Sequence, residues 1–216
     1  MKYRIAFAKW ICAVIVMLFC VTVVSTAANA ENPIEEYKNW SPDLKRYTAE
    51  ICNEYDVDYS LTVAVIYNES RFQSELTHKN SNGTIDYGLM QVNEVNFDFL
   101  HRTLGINSMK ELLDDKIGVR CGVALLAYHK QFTESDSAAL LRYQIGAGKY
   151  RQYLKSGRTT NSTHQQVLGY FNTYKNYLIE QTQKPKLNSF MRSDPIESIL
   201  NTWAKCSLNK LEWRNW

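Results

Sequence analysis

The sequence has few of the features that accompany metal binding or nucleic-acid binding. Its histidines lie far apart and none is near a pair of cysteines, so no spacing resembles a zinc site. The four are His78, His101, His129 and His164. The formal net charge is only +3, and Lys2, Arg4 and Lys9 account for all of it, because residues 1–30 contain no acidic residue. The remaining 22 basic and 22 acidic residues balance, which gives no argument for nucleic-acid binding.

The first thirty residues have the pattern of an export signal. A basic head precedes the apolar stretch 11–24, and Ala28-Asn29-Ala30 forms a small-x-small cleavage site. We expect a signal peptide over residues 1–30, with a retained signal anchor as the alternative. Residues 31–184 are then long enough for one domain with its own core. Residues 185–216 form a polar tail in which we expect an amphipathic helix carrying Ile196, Ile199, Leu200 and Trp203.

Cysteines are too few to indicate a disulfide framework. Once residues 1–30 are removed, Cys52, Cys121 and Cys206 remain, an odd number for an oxidising compartment. Cys52 and Cys121 both fall on apolar faces of predicted helices. A bridge between them and two buried thiols both fit this pattern, and we favour the thiols.

Strand patterns are scarce, and apolar residues recur at helical spacing through most of the mature chain. Ser41-Pro42 predicts the start of one helix, and Ser60 is expected to cap the next, whose residues 61–66 are apolar nearly all round. Asn82-Gly83 predicts a tight hairpin. The fold class is therefore mainly α, a helical domain with a small β-hairpin.

Five further helices are expected after the hairpin. Asn93 caps one that ends near Gly105, and Ser108 with Glu111 forms a capping box for a short one. Apolar stripes indicate a long buried helix over residues 117–128 and a last core helix over 167–178. Between them, a helix over residues 137–143 is expected to run into a flexible turn over 144–148.

The chemistry is predicted to centre on two carboxyl groups. Glu69 follows the fully apolar helix, where burial would raise its pKa enough for it to deliver a proton at neutral pH. Asp86 follows the hairpin turn and could act as a second carboxylate that stabilises a positive centre, as a nucleophile, or as a base for water. A lone Glu at a helix end is more often solvated, and Asp86 is equally explained as a turn residue. Their occurrence together favours cleavage of a glycosidic bond.

Polar residues near these carboxyls are candidates for binding a sugar. Gly88 would let a sugar approach the backbone, while Gln91 and Asn93 offer amide groups for its hydroxyl or acetamido groups. Ser70 could orient Glu69 or only end the helix. Tyr143 could hydrogen-bond near the acid or be half-buried core.

Two motifs give the sequence a family resemblance. The run ESRF at residues 69–72, followed by NGTIDYGLMQVN at 82–93, resembles the lysozyme-like lytic transglycosylases, particularly the small exported type that accompanies type IV and type III secretion and conjugation systems. The similarity extends over residues 44–178. It implies a lysozyme-like α+β fold with a cleft for the glycan strands of peptidoglycan, and adds Met90 and Gln144 to the expected substrate-binding residues. It implies no metal or organic cofactor.

The resemblance also implies the reaction. Glu69 matches the family's acid, which would protonate the oxygen between N-acetylmuramic acid and N-acetylglucosamine and then, as a base, help to close a 1,6-anhydro ring. The family's Ala-Tyr-Asn-Ala-Gly stands here as RYQIG at residues 142–146, and Gly118 stands where an asparagine is common. A tyrosine expected near Thr163 is absent.

Three functional hypotheses remain open from the sequence. The first is an exported peptidoglycan lytic transglycosylase of the cell wall or periplasm, secreted or held by an uncleaved N-terminal segment, whose partner would be a secretion or conjugation apparatus. The second is a lysozyme-like muramidase that uses Glu69 and Asp86 with water. The third is a non-catalytic wall-binding assembly protein.

Overall fold

The computed structural model describes residues 32–157 and 162–183. Contacts divide the chain after Pro33, and the structure described from Ile34 onward belongs to the second unit. The described helices are α1 (Pro33–Asn39), α2 (Pro42–Glu54), α3 (Tyr59–Ser70), α4 (Phe97–Leu104), α5 (Asp115–Lys130), α6 (Asp136–Ser156) and α7 (Ser162–Gln183). Two 3-10 turns cover Glu94–Asn96 and Met109–Leu113. The strands are β1 (Thr77–Lys79), β2 (Ile85–Tyr87) and β3 (Val92–Asn93).

The fold is mainly helical with a small antiparallel sheet, which confirms the expected class. Strand order is β1-β2-β3, and Asp86 lies opposite His78 on one side and Asn93 on the other. Asn82-Gly83 makes the predicted turn between β1 and β2, with Gly83 at φ 90°. The third strand was not predicted, because two residues are too few to show a period of two.

Capping residues set most of the helix starts. Ser41 caps α2 by accepting from the amide of Leu44, and Ser108 with Glu111 forms the predicted capping box. Asn93 caps the first 3-10 turn, and α4 ends at Gly105 in the left-handed conformation. Ser60 as the cap of α3 was wrong. Asp58 caps it two residues earlier, because its carboxylate accepts from the amides of residues 60 and 61.

The turn expected over residues 144–148 is present only as a break at one residue. Helix α6, Asp136–Ser156, consists of two helical segments that meet at a kink, where Gly146 alone departs from helical geometry, with φ 76° and ψ 159°. A positive φ with extended ψ is open almost only to glycine, so one residue redirects the helix without a loop. The two glycines in this segment misled the sequence interpretation.

Helix α3 forms the centre of the core. It packs between α2 and α7, and α5 packs against α2 and α6. Every residue of α3 from Tyr59 to Tyr67 is buried, as the apolar sequence predicts. Helix α1, which was not predicted, closes one end of this core: Tyr37 is 1% exposed and its hydroxyl lies 3.1 Å from that of Tyr59.

Three glycines allow the segment after β2, the second 3-10 turn and α5 to pack at very close range. A Cβ on Gly88 would lie 2.1 Å from the carbonyl oxygen of Leu112, and one on Gly118 would lie 2.5 Å from the same oxygen. A Cβ on Gly122 would lie 2.3 Å from the sulfur of Met90. Real Cβ atoms do not approach other atoms this closely, so the three glycines fix how near the segment after β2, the second 3-10 turn and α5 lie to one another.

Cys52 and Cys121 are both buried thiols, in agreement with the favoured interpretation. The Cys52 thiol donates to the hydroxyl of Thr62 at 3.2 Å, and burial raises the pKa of Cys121 to about 12. No helix within residues 32–157 and 162–183 is both long enough and apolar enough to cross a bilayer. The predicted signal segment over 1–30 and the tail helix over 185–216 lie outside the described residues.

Candidate active site

The carboxyl of Glu69 lies where the buried helix α3 reaches the surface. The helix ends one residue later at Ser70, and Arg71 and Phe72 then take left-handed conformations with φ 53° and 58°. Two consecutive non-glycine residues in this region turn the chain away sharply at a cost in backbone strain. Glu69 itself is half-buried, between a core that excludes water and the open side of the helix end.

The surroundings of Glu69 disfavour its charged form. Burial raises the pKa of Glu69 to about 7, a hydrogen bond from the Asn68 amide to Oε1 at 3.1 Å opposes the shift, and the negative charge of Asp86 adds to it. No lysine or arginine forms an ion pair with Glu69 in the described part of the chain. A carboxyl in this state can donate a proton at neutral pH and take one back.

Asp86 on β2 lies among hydrogen-bond donors. Asn80 donates to one carboxylate oxygen at 2.9 Å, and Asn93 donates to the other at 2.6 Å. Asn93 also donates to the hydroxyl of Thr84 at 2.8 Å. Each oxygen is therefore held by an amide on a neighbouring segment, and the two hydrogen bonds fix the orientation of the carboxylate.

Tyr143 on α6 joins the two carboxyls in one site. Its hydroxyl donates to the backbone carbonyl of Met90 at 2.9 Å. Burial raises the pKa of Tyr143 well above its ordinary value, and the nearby charges of Glu69 and Asp86 raise it further. The phenol is thus a neutral hydrogen-bond donor at the junction between the sheet and the helices.

The segment between Asp86 and Asn93 is braced from within. Gln91 adopts φ 45°, and its amide donates to the backbone carbonyls of Gly88 at 2.8 Å and Leu76 at 3.2 Å. Met90 is fully buried. Gly88 is required by the carbonyl of Leu112 described above, an internal reason that the sequence interpretation did not foresee. Contact of these three residues with a substrate stays a prediction.

Two predicted residues have structural partners of their own. Ser70 is 3% exposed, and its hydroxyl donates to the carbonyl of Ile66 at 3.0 Å, one turn back in α3. The amide oxygen of Gln144 accepts from His164 at 3.2 Å, and its Nε2 is buried without a partner among the described residues. Their roles toward a substrate also remain predictions.

Sequence reasoning missed Asn68 and Asn80. Asn68 is adjacent to Glu69, and Asn80 lies two residues before the Asn82-Gly83 turn. A hydrogen-bonding amide beside each predicted carboxyl was a signal that could have been used. The pair His129 and Arg142 was also missed, because nothing in the sequence indicates that these two side chains meet.

Comparison with known proteins agrees with this geometry. Residues 46–166 match the family model described as the transglycosylase SLT domain, a range that contains Glu69, Asp86 and Tyr143. No curated protein sequence matches the chain significantly.

One solved structure with the same fold is lytic transglycosylase Slt from Pseudomonas aeruginosa, an inactive glutamate-to-glutamine variant. It is 26% identical with a TM-score of 0.52, and the match covers 61% of this chain and 24% of that one. The chain therefore spans about a quarter of the length of that relative.

Proposed function

This chain belongs to the transglycosylase SLT domain family, and on that premise we propose that it is a peptidoglycan lytic transglycosylase. It would cleave the β-1,4 bond between N-acetylmuramic acid and N-acetylglucosamine. The observation that carries the proposal is the half-buried carboxyl of Glu69, whose pKa burial raises to about 7 beside the charge of Asp86. One group can then serve as acid and as base in a single turnover.

The first step uses the protonated carboxyl. Glu69 gives its proton to the glycosidic oxygen as the bond from that oxygen to C1 of the muramyl residue breaks, and the N-acetylglucosamine leaves as an alcohol. Positive charge develops at C1 and its ring oxygen. Asp86 lies near enough to Glu69 to raise its pKa, so its negative charge is available to stabilise that positive centre.

The second step returns the proton. The Glu69 carboxylate takes the proton of the muramyl 6-hydroxyl while that oxygen bonds to C1, which closes the 1,6-anhydro ring and restores the acid. No water is consumed. Because both oxygens of Asp86 already accept amide hydrogens, Asp86 is better suited to electrostatic stabilisation than to activating a water molecule.

The setting that we propose is the cell envelope, in the wall or periplasm. The substrate would be glycan strands, and the reaction would open the wall locally for a secretion or conjugation apparatus. This part rests on the export signal and the resemblance of residues 69–93. Residues 31–184 would form the catalytic domain, and residues 185–216 a tail available to a partner.

Digestion of purified peptidoglycan by residues 31–216, followed by mass analysis of the released muropeptides, tests the proposal. We expect 1,6-anhydro ends from the wild type and none from Glu69→Gln. Glu134→Gln is a matched control, because Glu134 is exposed and makes none of the contacts described for the site. Reducing muramic ends would indicate a muramidase instead, and no release by the wild type would support the non-catalytic alternative.

A further inference from the structure

Arg142 is a buried cation without an acidic partner. It is 8% exposed, and no carboxylate pairs with its guanidinium within the residues that the structure describes. Arginine is rarely buried unless its charge is compensated, because removal of a charge from water is costly. Its position therefore calls for another explanation, especially since it immediately precedes Tyr143.

Aromatic rings and one imidazole surround the guanidinium. Its centre lies 4.5 Å from the ring centroid of Phe132 and 5.6 Å from that of Tyr128, both at cation-π distance. Its Nη1 donates to Nδ1 of His129, which is 7% exposed. Because a guanidinium has only donors, Nδ1 must accept, and this fixes His129 as the neutral tautomer protonated on Nε2.

The imidazole in turn supports the tyrosine of the site. The ring of His129 lies edge-on to the ring of Tyr143, with centroids 6.0 Å apart and planes at 90°. On its other end, Tyr143 donates to the carbonyl of Met90 at 2.9 Å. A continuous series of contacts thus runs from Arg142 through His129 to Tyr143 and the backbone of the segment that follows Asp86.

We propose that Arg142 is a positioning residue for the cleavage reaction. Acting through His129, Arg142 holds Tyr143 against the Met90 carbonyl. This fixes the wall of the site beside Glu69 and Asp86. Arg142 does not touch the substrate in this scheme. Its guanidinium N–H groups can only donate, and this locks one tautomer and one ring orientation of His129. For activity the inference rests on the proposed function, but its structural part does not.

The electrostatics of Arg142 and His129 predict a change in the pKa of His129 that can be measured without an activity assay. The titratable or charged groups that face His129 are Arg142 and Tyr143 from α6 and Tyr128 from its own helix. Burial and, to a lesser extent, the charge of Arg142 together lower the pKa of His129 to about 4. The imidazole therefore stays neutral while Glu69 titrates.

The first experiment follows His129 and Tyr143 by NMR during a pH titration of the wild type and Arg142→Met. Arg120→Met is the matched control, because Arg120 is an exposed arginine on α5 that lies near Tyr55. We expect Arg142→Met to raise the pKa of His129 and shift the ring resonances of Tyr143, with Arg120→Met like wild type. Unchanged His129 and Tyr143 signals in Arg142→Met would overturn the proposal.

The second experiment measures cleavage of soluble glycan strands. We expect Arg142→Met to lower kcat by about 10- to 100-fold with a smaller change in KM, since a small misplacement in a site costs rate more than binding. Arg142→Lys should recover part of the loss because it keeps a donor for His129. The limb of the pH profile set by Glu69 should stay in place, because Arg142 is not among the groups that shift it.

A double-mutant cycle separates this role from a merely structural one. If Arg142 acts through Tyr143, the loss caused by Arg142→Met should shrink in a Tyr143→Phe background. Equal losses in both backgrounds would overturn the proposal, as would Arg142→Met with the activity of Arg120→Met. If Arg142→Met fails to fold by circular dichroism, Arg142→Lys carries both experiments. An inactive wild type would overturn the proposed function, and the NMR comparison would still decide on Arg142.

Discussion

Replacing Gly118 by alanine tests how the second 3-10 turn packs against α5. The new Cβ would lie 2.5 Å from the carbonyl oxygen of Leu112 and 3.5 Å from its carbonyl carbon. Both atoms are backbone, so no side-chain rotation can relieve the contact. The structure therefore leaves no room for a side chain at this position of α5.

The expected sign is opposite to that of helix propensity. In an exposed helix interior, glycine to alanine stabilises by about 1 kcal/mol. Here the overlap must be removed by moving α5 or the Leu112 backbone, and overpacking of this kind costs about 1–3 kcal/mol. Because the opposing atom is rigid, we take the upper end, which leaves a net loss of about 2 kcal/mol after the propensity gain. For a domain of this size that lowers Tm by about 4–8 °C.

Gly169→Ala is the control for this prediction. Gly169 lies within α7, is exposed, and has no neighbouring atom within 4 Å of the position that a Cβ would take. It should therefore show the propensity term alone and raise Tm by about 2–4 °C. Thermal and urea unfolding followed by circular dichroism measure both variants. A Gly118→Ala protein at least as stable as the wild type would refute the close packing of α5 on Leu112.

Three further predictions concern the carboxyls and the tyrosine. Glu69 has a pKa of about 7 in the folded protein, above its value of 4.5 when unfolded, so the free energy of unfolding should fall as pH rises from 4.5 to 7. Urea titrations at pH 5 and pH 8 measure this fall, and Glu69→Gln should abolish it. Asp86→Asn removes a charge that raises the pKa of Glu69, so the alkaline limb of kcat/KM should move to lower pH; a limb that stays fixed contradicts the electrostatic coupling. Tyr143→Phe loses the hydrogen bond to Met90 and leaves that carbonyl without its donor, which should lower the free energy of unfolding in urea by about 1–3 kcal/mol. An unchanged urea midpoint would show that the bond is not formed.

Local signals in the sequence were sufficient for much of the fold. Ser41, the Ser108 capping box and the Asn82-Gly83 turn act over three or four residues, so the sequence alone determines what they do. The apolar residues on nearly every face of α3 likewise predicted that this helix is buried, and with it the environment of Glu69. The same locality explains the error at Ser60, since Asp58 offered an equally good cap two residues earlier.

Features that depend on contacts between distant segments could not be predicted. Gly88, Gly118 and Gly122 are each fixed by an atom from another element, a contact that no local pattern in the sequence indicates. Gly146 with Gly148 read as a flexible loop, because the sequence does not show that the rest of α6 is held by packing on both sides of a single break.

The site shows the same division. Its two carboxyls were predicted from their spacing and types, whereas the amides that hold Asp86 became visible only when the strand register placed Asn93 opposite it. The meeting of Arg142 with His129 depends on the packing of α6 on α5. Sequence spacing predicted the reacting groups, and the tertiary structure shows which side chains contact them.

The central claim is that Glu69 carries a proton near neutral pH, and its carboxyl pKa can be measured directly. Carbon-13 NMR of glutamate-labelled protein, assigned by comparison with Glu69→Gln, should show that the Glu69 carboxyl titrates near pH 7, well above its ordinary value of 4.5. A Glu69 signal that titrates near that ordinary value would contradict the account.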